Sequence, residues 1–112
     1  MRRSKYGNKK VQVGNETYHS QREAARHQSL LLMQRAGLIA GLTREVPFVL
    51  APGIKIEGEK RARPALRYYA DFLYTTADGR MVAEDAKGVS TALYRAKKHL
   101  MATLHGIHVV EV

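Results

Sequence analysis

Residues 67–87 read RYYADFLYTTADGRMVAEDAK, two runs of aromatic and branched residues on either side of an Asp-Gly pair. Such runs around a glycine-containing turn predict an antiparallel β-hairpin. A three-residue loop with Gly79 at positive φ would set Asp71 directly opposite Asp85, with their β-carbons roughly 5 Å apart. A two-residue turn would instead pair Asp71 with Ala86 and turn its side chain to the other face. The position of the acidic residues therefore depends on the register of this hairpin.

Charged side chains converge on one face of the sheet in the first register. Side chains alternate across a strand, so Asp85 and Lys87 share a face, while Glu84 points away and is expected to pair with an arginine on the opposite face. Two close carboxylates repel unless a cation lies between them, and Mg²⁺ takes such oxygen ligands. A lysine beside them can orient water and offset the charge of a phosphate. The pattern indicates metal-dependent chemistry on phosphodiesters.

Four motifs, two of them within the hairpin, extend this pattern over nearly the whole chain: KYGNKK (5–10), YHSQREA (18–24), YADF (69–72) and EDAKG (84–88). Together they resemble the PD-(D/E)xK nuclease superfamily, and within it a family of small phage-associated proteins described as Holliday-junction-resolvase-like or endonuclease-I-like. One departure is Ala70, which stands where many members have proline. The resemblance implies a restriction-endonuclease-like α/β core.

This resemblance also implies a reaction and roles for its residues. The reaction is the Mg²⁺- or Mn²⁺-dependent hydrolysis of DNA phosphodiesters by in-line attack of a metal-bound water. Asp71 and Asp85 would hold the metal, with the Ala86 carbonyl as a further ligand. Glu23 would complete the site directly or through water, and Lys87 would orient the nucleophile. Junction-resolving members imply a homodimer on branched DNA, because two symmetric nicks need two active sites.

Each of these residues also has a purely structural interpretation. Glu23 stands three residues after Ser20, so Ser-Gln-Arg-Glu is also a capping box that binds the backbone at the start of a helix. Asp71 is harder to explain this way, since aspartate is depleted in strands and costly when buried without a partner. Asp85 and Lys87 could form a solvated strand face. Two alternatives remain for the chain. One is a non-catalytic DNA-binding or regulatory phage protein on a nuclease-like fold, and the other is a nucleic-acid-binding accessory subunit of a larger phage complex that is active only with its partner.

The amino-acid composition limits the classes of protein to which this chain can belong. A chain of 112 residues with 45% hydrophobic content predicts one domain, residues 11–112, preceded by a basic flexible arm, residues 1–10. Nineteen lysines and arginines against ten acidic residues give a net charge of +9, which indicates a polyanionic partner, with DNA as the leading candidate. We expect no membrane partner, because the chain has no long apolar run. We also expect no small-molecule cofactor.

Cysteine and histidine usage narrows the chemistry further. The absence of cysteine excludes disulfides, thiolate nucleophiles and zinc-thiolate sites, and fits the cytoplasm of a prokaryotic host, where a phage-encoded protein would act. The basic start is followed by polar residues, so no signal peptide is expected. The five histidines lack zinc spacing, and we expect surface or core positions for them, with His27 near the metal site.

Basic residues in three segments are the candidate contacts to the DNA backbone, although those on the second helix could equally form a solvated face. They are Arg2, Arg3, Lys5, Lys9 and Lys10 in the arm, Arg61 and Arg63 in a charged loop, and Arg95, Lys97 and Lys98 on the second helix.

Periodicity and turn residues predict the element order αβββαβ, with a four- to five-stranded mixed sheet flanked by two helices. The expected elements are a small hairpin (11–13 and 16–18), a helix from Ser20 to about Ala36 ended by Gly37, strands 45–50 and 54–57, a loop 59–64, the central hairpin, a helix from Ser90 or Thr91 to His105, and a parallel strand 107–112. The expected buried positions are Ala24, Leu31 and either Leu30 or Ala36 on the first helix, and Leu93, Ala96, Leu100 and Leu104 on the second.

Overall fold

The computed structural model describes residues 10–86 and 90–112. Its elements are β1 Val11–Val13, β2 Glu16–Tyr18, α1 Gln21–Arg35, β3 Ile39–Ala51, β4 Leu66–Thr76, β5 Met81–Asp85, α2 Ala92–His105 and β6 Val109–Glu111. The hairpin β1-β2 is a separate antiparallel pair, and the other strands form one mixed sheet in the order β3-β4-β5-β6, in which only β6 runs parallel to its neighbour. The predicted α/β class and αβββαβ order are confirmed. Nine residues of the predicted basic arm lie outside the described residues.

The central hairpin adopts the three-residue loop. Thr76 donates its N–H to the Arg80 carbonyl at 2.8 Å, and Gly79 has φ 85°. The β4-β5 ladder runs from Thr75 and Met81 to Phe72 and Glu84 and ends there. The three-residue loop is therefore confirmed and the two-residue turn is excluded, whereas the direct pairing of Asp71 with Asp85 stays a prediction.

The sheet separates two apolar clusters. Leu30 of α1 packs with Phe72 and Tyr74 on one face, and Met101 of α2 packs in the other cluster. Val82 contacts the α1 cluster and Ala83 belongs to the α2 cluster, and consecutive strand residues point to opposite faces. The helices therefore cover opposite faces of the sheet.

Strands β3 and β4 change face together at Asp71. Tyr68 and Ala70 lie in the α2 cluster, whereas Phe72 lies in the α1 cluster, although strict alternation would keep all three on one face. The ladder is continuous in register across this point, and Glu45 in β3, at the level of Asp71, has φ 53°. A non-glycine residue in this region carries a cost of about 1–2 kcal/mol. The irregular backbone thus coincides with the aspartate that the sequence singles out.

Both helices have the predicted boundaries. The Ser20 and Thr91 hydroxyls are the N-caps, and Gly37 and Gly106 follow the helices with φ 80° and 66°. On α1, Ala24 and Leu30 are buried as expected, Leu31 is half-buried and Ala36 is exposed.

The predicted seam of α2 is wrong at Leu93, Ala96 and Leu104, which are exposed, whereas Leu100 is half-buried and packs against the core as expected. Leu93 and Leu104 are 59% and 55% exposed, and the buried side chains are Tyr94 and Met101. The two apolar stripes adjoin on the helix, and the larger side chains face the sheet, where the Tyr94 ring packs against Tyr68 at 6.5 Å between centroids. This rotation leaves Leu93 at the surface beside the sheet.

Two predicted strands also differ from the structure. Strand β3 is longer than the predicted 45–50, because Gly41, with φ 67°, lies within a register shift instead of ending the strand. Residues 54–57 are not a strand; Ile54 makes only an isolated bridge to Arg63 and is 59% exposed. No helix within the described ranges is long and apolar enough to cross a membrane.

Candidate metal site

The start of α1 fixes the carboxylate of Glu23. The Ser20 hydroxyl accepts the Glu23 N–H at 3.1 Å, and the Glu23 carboxylate accepts the backbone N–H of His19 at 2.9 Å. The predicted cap is therefore present, although the glutamate returns its bond to the residue before the N-cap. Glu23 is only 2% exposed. At the start of the helix, the Ser20 hydroxyl thus fixes the backbone of Glu23, and the His19 N–H fixes its carboxylate.

Three potential ligands meet at this point. His19, Glu23 and Asp71 each offer one ligand atom, and these atoms lie within 4.8 Å of one another. The His19 Nδ1 is 3.4 Å from a Glu23 oxygen, and the histidine side chain is 67% exposed. One Asp71 oxygen accepts the N–H of Ala86 at 2.8 Å, which anchors the carboxylate to the end of β5. The candidate metal site therefore joins the start of α1 to the irregular point of β4.

Arg44 balances the charge of Glu23. Its guanidinium lies 3.4 Å from a Glu23 oxygen, and it also pairs with Glu16 at 2.6 Å and donates to the Thr17 carbonyl at 3.0 Å. The same group lies 4.1 Å from the centre of the Tyr18 ring. Arg44 therefore ties the β1-β2 hairpin to the sheet beside the candidate metal site.

Asp85 is buried next to this site but outside the three-ligand cluster. It has no exposed surface and accepts a hydrogen bond from the Tyr68 hydroxyl at 3.0 Å. Burial, followed by the negative charges of Asp85 and then Asp71, raises the pKa of the Tyr68 hydroxyl. Burial, followed by the negative charges of Asp85, Glu111 and Asp71, raises the pKa of Tyr94. Both aspartates therefore act on the same two phenols, which stay protonated at neutral pH. A metal-ligand role for Asp85 stays a prediction.

Other predicted site residues have mixed outcomes. The Ala86 N–H contacts Asp71, and a ligand role for its carbonyl stays a prediction. Lys87 lies outside the described residues. Glu84 pairs with Arg26 through two bonds of 2.7 Å on the α1 face, which confirms its predicted arginine partner. The Tyr74 hydroxyl also donates to Glu84, and burial followed by this bond raises the pKa of Tyr74 to about 12.

His27 supports the site from inside the fold. Its Nδ1 lies 2.6 Å from the Tyr18 hydroxyl, and its ring stacks on Phe72 at 5.6 Å between centroids. Burial, and then the positive charge of Arg44, lowers the pKa of His27. The neutral imidazole therefore links β2 to β4.

The candidate DNA contacts are distributed over the surface. Lys10, Arg61, Arg63 and Arg95 are exposed, whereas Lys97 and Lys98 are half-buried. Arg63 pairs with Glu59 at 2.7 Å, and Lys98 lies 3.6 Å from Glu111, so part of their charge is already balanced. Arg2, Arg3, Lys5 and Lys9 lie outside the described residues.

Two site residues were not predicted from the sequence. His19 directly precedes the N-cap and stands four residues before Glu23, and this spacing was the available signal. Arg44 gives no such signal, because it reaches Glu23 only through the pairing of β3 with β4.

The fold and site together define an α/β domain in which two carboxylates and an imidazole meet between a helix start and the central strand of a mixed sheet. Residues 3–108 match the family described as "Protein of unknown function (DUF1064)", and the chain belongs to this family. Comparisons with curated proteins and with solved structures found no match.

Proposed function

We propose that the protein is a divalent-metal-dependent endodeoxyribonuclease of the PD-(D/E)xK type. The observation that carries the proposal is the convergence of His19, Glu23 and Asp71 within 4.8 Å. The helical glutamate and the strand aspartate are two of the residues that the sequence resemblance assigns to metal binding. Asp85, which accepts the Tyr68 hydroxyl, is the further carboxylate that the resemblance assigns to the metal.

The donor set fits a small divalent cation. Ligands on opposite sides of Mg²⁺ are about 4.2 Å apart, since each lies about 2.1 Å from the ion. The 4.8 Å limit of the cluster is close to this span, so small side-chain adjustments suffice. Carboxylate oxygens suit Mg²⁺ and Mn²⁺, and the exposed imidazole of His19 adds a donor that Mg²⁺ seldom takes. A bound cation would supply Lewis-acid stabilisation of a phosphate and lower the pKa of water.

The residues around the site have complementary roles in this proposal. Glu23 and Asp71 hold the cation, and the Ala86 N–H keeps Asp71 aligned while leaving its second oxygen available. Arg44 offsets the charge of Glu23 while it is also paired with Glu16. By resemblance, Lys87 orients the attacking water and stabilises the developing phosphate charge.

DNA is the proposed substrate because the chain carries a net charge of +9 around an acidic centre. Basic side chains bind the phosphate backbone without regard to sequence and supply most of the affinity. The role of the acidic cluster in this proposal is to hold the cation for cleavage. Branched DNA and a homodimer are further parts of the proposal that rest on the resemblance alone.

A cleavage assay tests the proposal. The purified chain is incubated with linear duplex, single-stranded, flap and four-way-junction DNA in Mg²⁺, Mn²⁺ or EDTA. We expect metal-dependent cleavage by the wild type and by Glu57→Gln, a control that removes an exposed carboxylate elsewhere. Asp71→Ala and Lys87→Ala should abolish cleavage but retain DNA binding, because affinity comes mainly from the basic surface. Binding without cleavage by the wild type would favour the non-catalytic alternative, and cleavage retained by both variants would refute the assigned residues.

A further inference from the structure

His19 is the member of the candidate metal site to which the sequence resemblance assigns no role. It directly precedes the N-cap Ser20, and its backbone N–H donates to one oxygen of the Glu23 carboxylate at 2.9 Å. The same oxygen lies 3.4 Å from the His19 Nδ1, whereas the other Glu23 oxygen lies beside Arg44. One carboxylate oxygen and one imidazole nitrogen are therefore neighbours at the start of α1.

The distance between these two atoms suits two ligands of one cation. Ligands at adjacent positions are about 3.0–3.5 Å apart when each lies about 2.1 Å from the ion, for angles of about 90–109°. The separation of 3.4 Å lies in this range and exceeds the usual length of an N–H···O hydrogen bond, about 2.7–3.2 Å. Asp71 offers a third ligand atom, within 4.8 Å of those of His19 and Glu23. The contact thus has the spacing of metal ligands.

The exposure of the imidazole leaves the site open on one side. The His19 side chain is 67% exposed, whereas Glu23 is only 2% exposed. Three protein ligands leave further coordination positions for water or a phosphate oxygen, as catalytic metal sites require. A cation bound at this point would therefore remain accessible to a substrate.

The chemistry of the donor atoms distinguishes between metals. Carboxylate oxygens suit both Mg²⁺ and Mn²⁺. Mg²⁺ takes oxygen ligands, whereas imidazole nitrogen binds transition metals, whose affinity for nitrogen and oxygen donors rises from Mn²⁺ through Co²⁺ toward Cu²⁺. The imidazole is therefore the donor in this cluster that separates the two classes of cation.

We infer that His19 is a ligand of the metal and that it selects a transition-metal dication, such as Mn²⁺ or Co²⁺, over Mg²⁺. The inference rests on the proposed function for the existence of the metal site, and it adds the class of ion and the residue that selects it. Helix capping does not account for this histidine, because the bond to Glu23 comes from the backbone N–H of residue 19 and is independent of the side chain.

Metal binding measured without DNA tests the inference apart from cleavage. Isothermal titration calorimetry gives the affinity of the wild-type chain for Mn²⁺, Co²⁺ and Mg²⁺. We expect Mn²⁺ and Co²⁺ to bind at least about 10-fold more tightly than Mg²⁺, because even residues that only support a metal ligand change affinity by about 10- to 100-fold. His19→Ala should lose most of this preference. His19→Asp, which replaces the imidazole with an oxygen donor, should bind Mg²⁺ more tightly than the wild type does.

Electron spin echo envelope modulation of the Mn²⁺-loaded chain identifies the ligand directly. A coordinated imidazole gives a nitrogen modulation, which should be present in the wild type and absent in His19→Ala. The control is His99→Ala, which removes an exposed histidine of α2 and should retain the modulation. A purely structural role of His19 would change the unfolding of the chain in EDTA but would not produce this signal.

Equal wild-type affinity for Mn²⁺ and Mg²⁺ would overturn the inference, as would a nitrogen modulation that persists in His19→Ala. If His19→Ala does not fold, the modulation must still be present in the wild type and absent in His19→Asp. Cleavage in Mg²⁺ by a chain without the metal preference would refute the inference and leave the nuclease proposal intact. The preference without cleavage in any metal would support the role of His19 and refute the nuclease.

Discussion

Replacing Asp71 with asparagine should separate the stability of the fold from its capacity to bind metal. The Glu23 and Asp71 ligand atoms lie within 4.8 Å, where two negative charges repel by about 1 kcal/mol in water and about 3.5 kcal/mol at an effective dielectric constant of 20. Asparagine removes this repulsion and still accepts the Ala86 N–H, although about 1 kcal/mol of charge assistance is lost. In EDTA, Asp71→Asn should therefore be more stable than wild type by about 0–2 kcal/mol.

Divalent metal should reverse this order. A cation at 100 times its dissociation constant stabilises the wild-type chain by about 2.7 kcal/mol. For a domain of this length, that energy corresponds to a rise in Tm of about 10 °C. Asp71→Asn lacks a charged ligand and should show little of this rise. The assay is thermal unfolding of the wild type, Asp71→Asn and the control Glu57→Gln, each in EDTA and in a Mn²⁺ titration.

Two results would refute this reasoning. If Mn²⁺ raises the Tm of Asp71→Asn as much as that of wild type, the cation binds elsewhere. If Asp71→Asn loses more than about 1 kcal/mol in EDTA, the carboxylate stabilises the fold and the repulsion argument is wrong. Glu57→Gln should follow the wild type in both media, because Glu57 is an exposed residue of the segment between β3 and β4.

Three further predictions concern charge. DNA affinity should fall steeply with salt, with a log-log slope of roughly −5 for about six phosphate contacts; fluorescence anisotropy measures it, and a flat response would contradict phosphate binding. Glu84→Gln should lower the free energy of unfolding by about 3 kcal/mol, because it leaves Arg26 facing a buried neutral group; urea denaturation measures the loss, and a value below about 1 kcal/mol would show that the pair contributes little. The lowered pKa of His27 means that the unfolded chain binds the proton more tightly, so the stability from neutral His27 is present above pH 6.5 and is lost as pH falls below it. His27→Gln should make stability less dependent on pH in this acidic range, and an unchanged slope in pH-dependent unfolding would contradict the assignment.

The hairpin shows how far local sequence determined the site. Gly79 was predicted at positive φ from the Asp-Gly pair, and this one turn sets the register of β4 against β5. Glu23 was similarly located by the Ser20 cap. In both cases the information lies within a few residues, because turns and caps depend on local backbone geometry.

Contacts between distant segments could not be predicted from local sequence. The α2 seam was misplaced because two adjoining apolar stripes look alike in sequence, and only the packing of Tyr94 against Tyr68 selects between them. The change of face at Asp71 has no signature either, since Glu45 is not a residue type that favours its φ of 53°. Tertiary packing overrides local preference at such points.

The change of face in β4 and the positive φ of Glu45 both occur at Asp71. In a regular strand, Tyr68, Ala70 and Phe72 would all point to one face of the sheet. Each face of β4 would then meet a single helix. The irregular step opposite Glu45 instead lets Tyr68 and Ala70 pack toward α2 while Phe72 packs toward α1. Asp71 lies at the transition, so it can share its surroundings with Glu23 of α1 and also influence the phenols beside α2. The strained backbone of Glu45 thus accompanies the placement of an acidic group of the sheet beside the start of α1. A local sequence pattern predicts the residue but not this geometry, because the geometry depends on the pairing of β3 with β4.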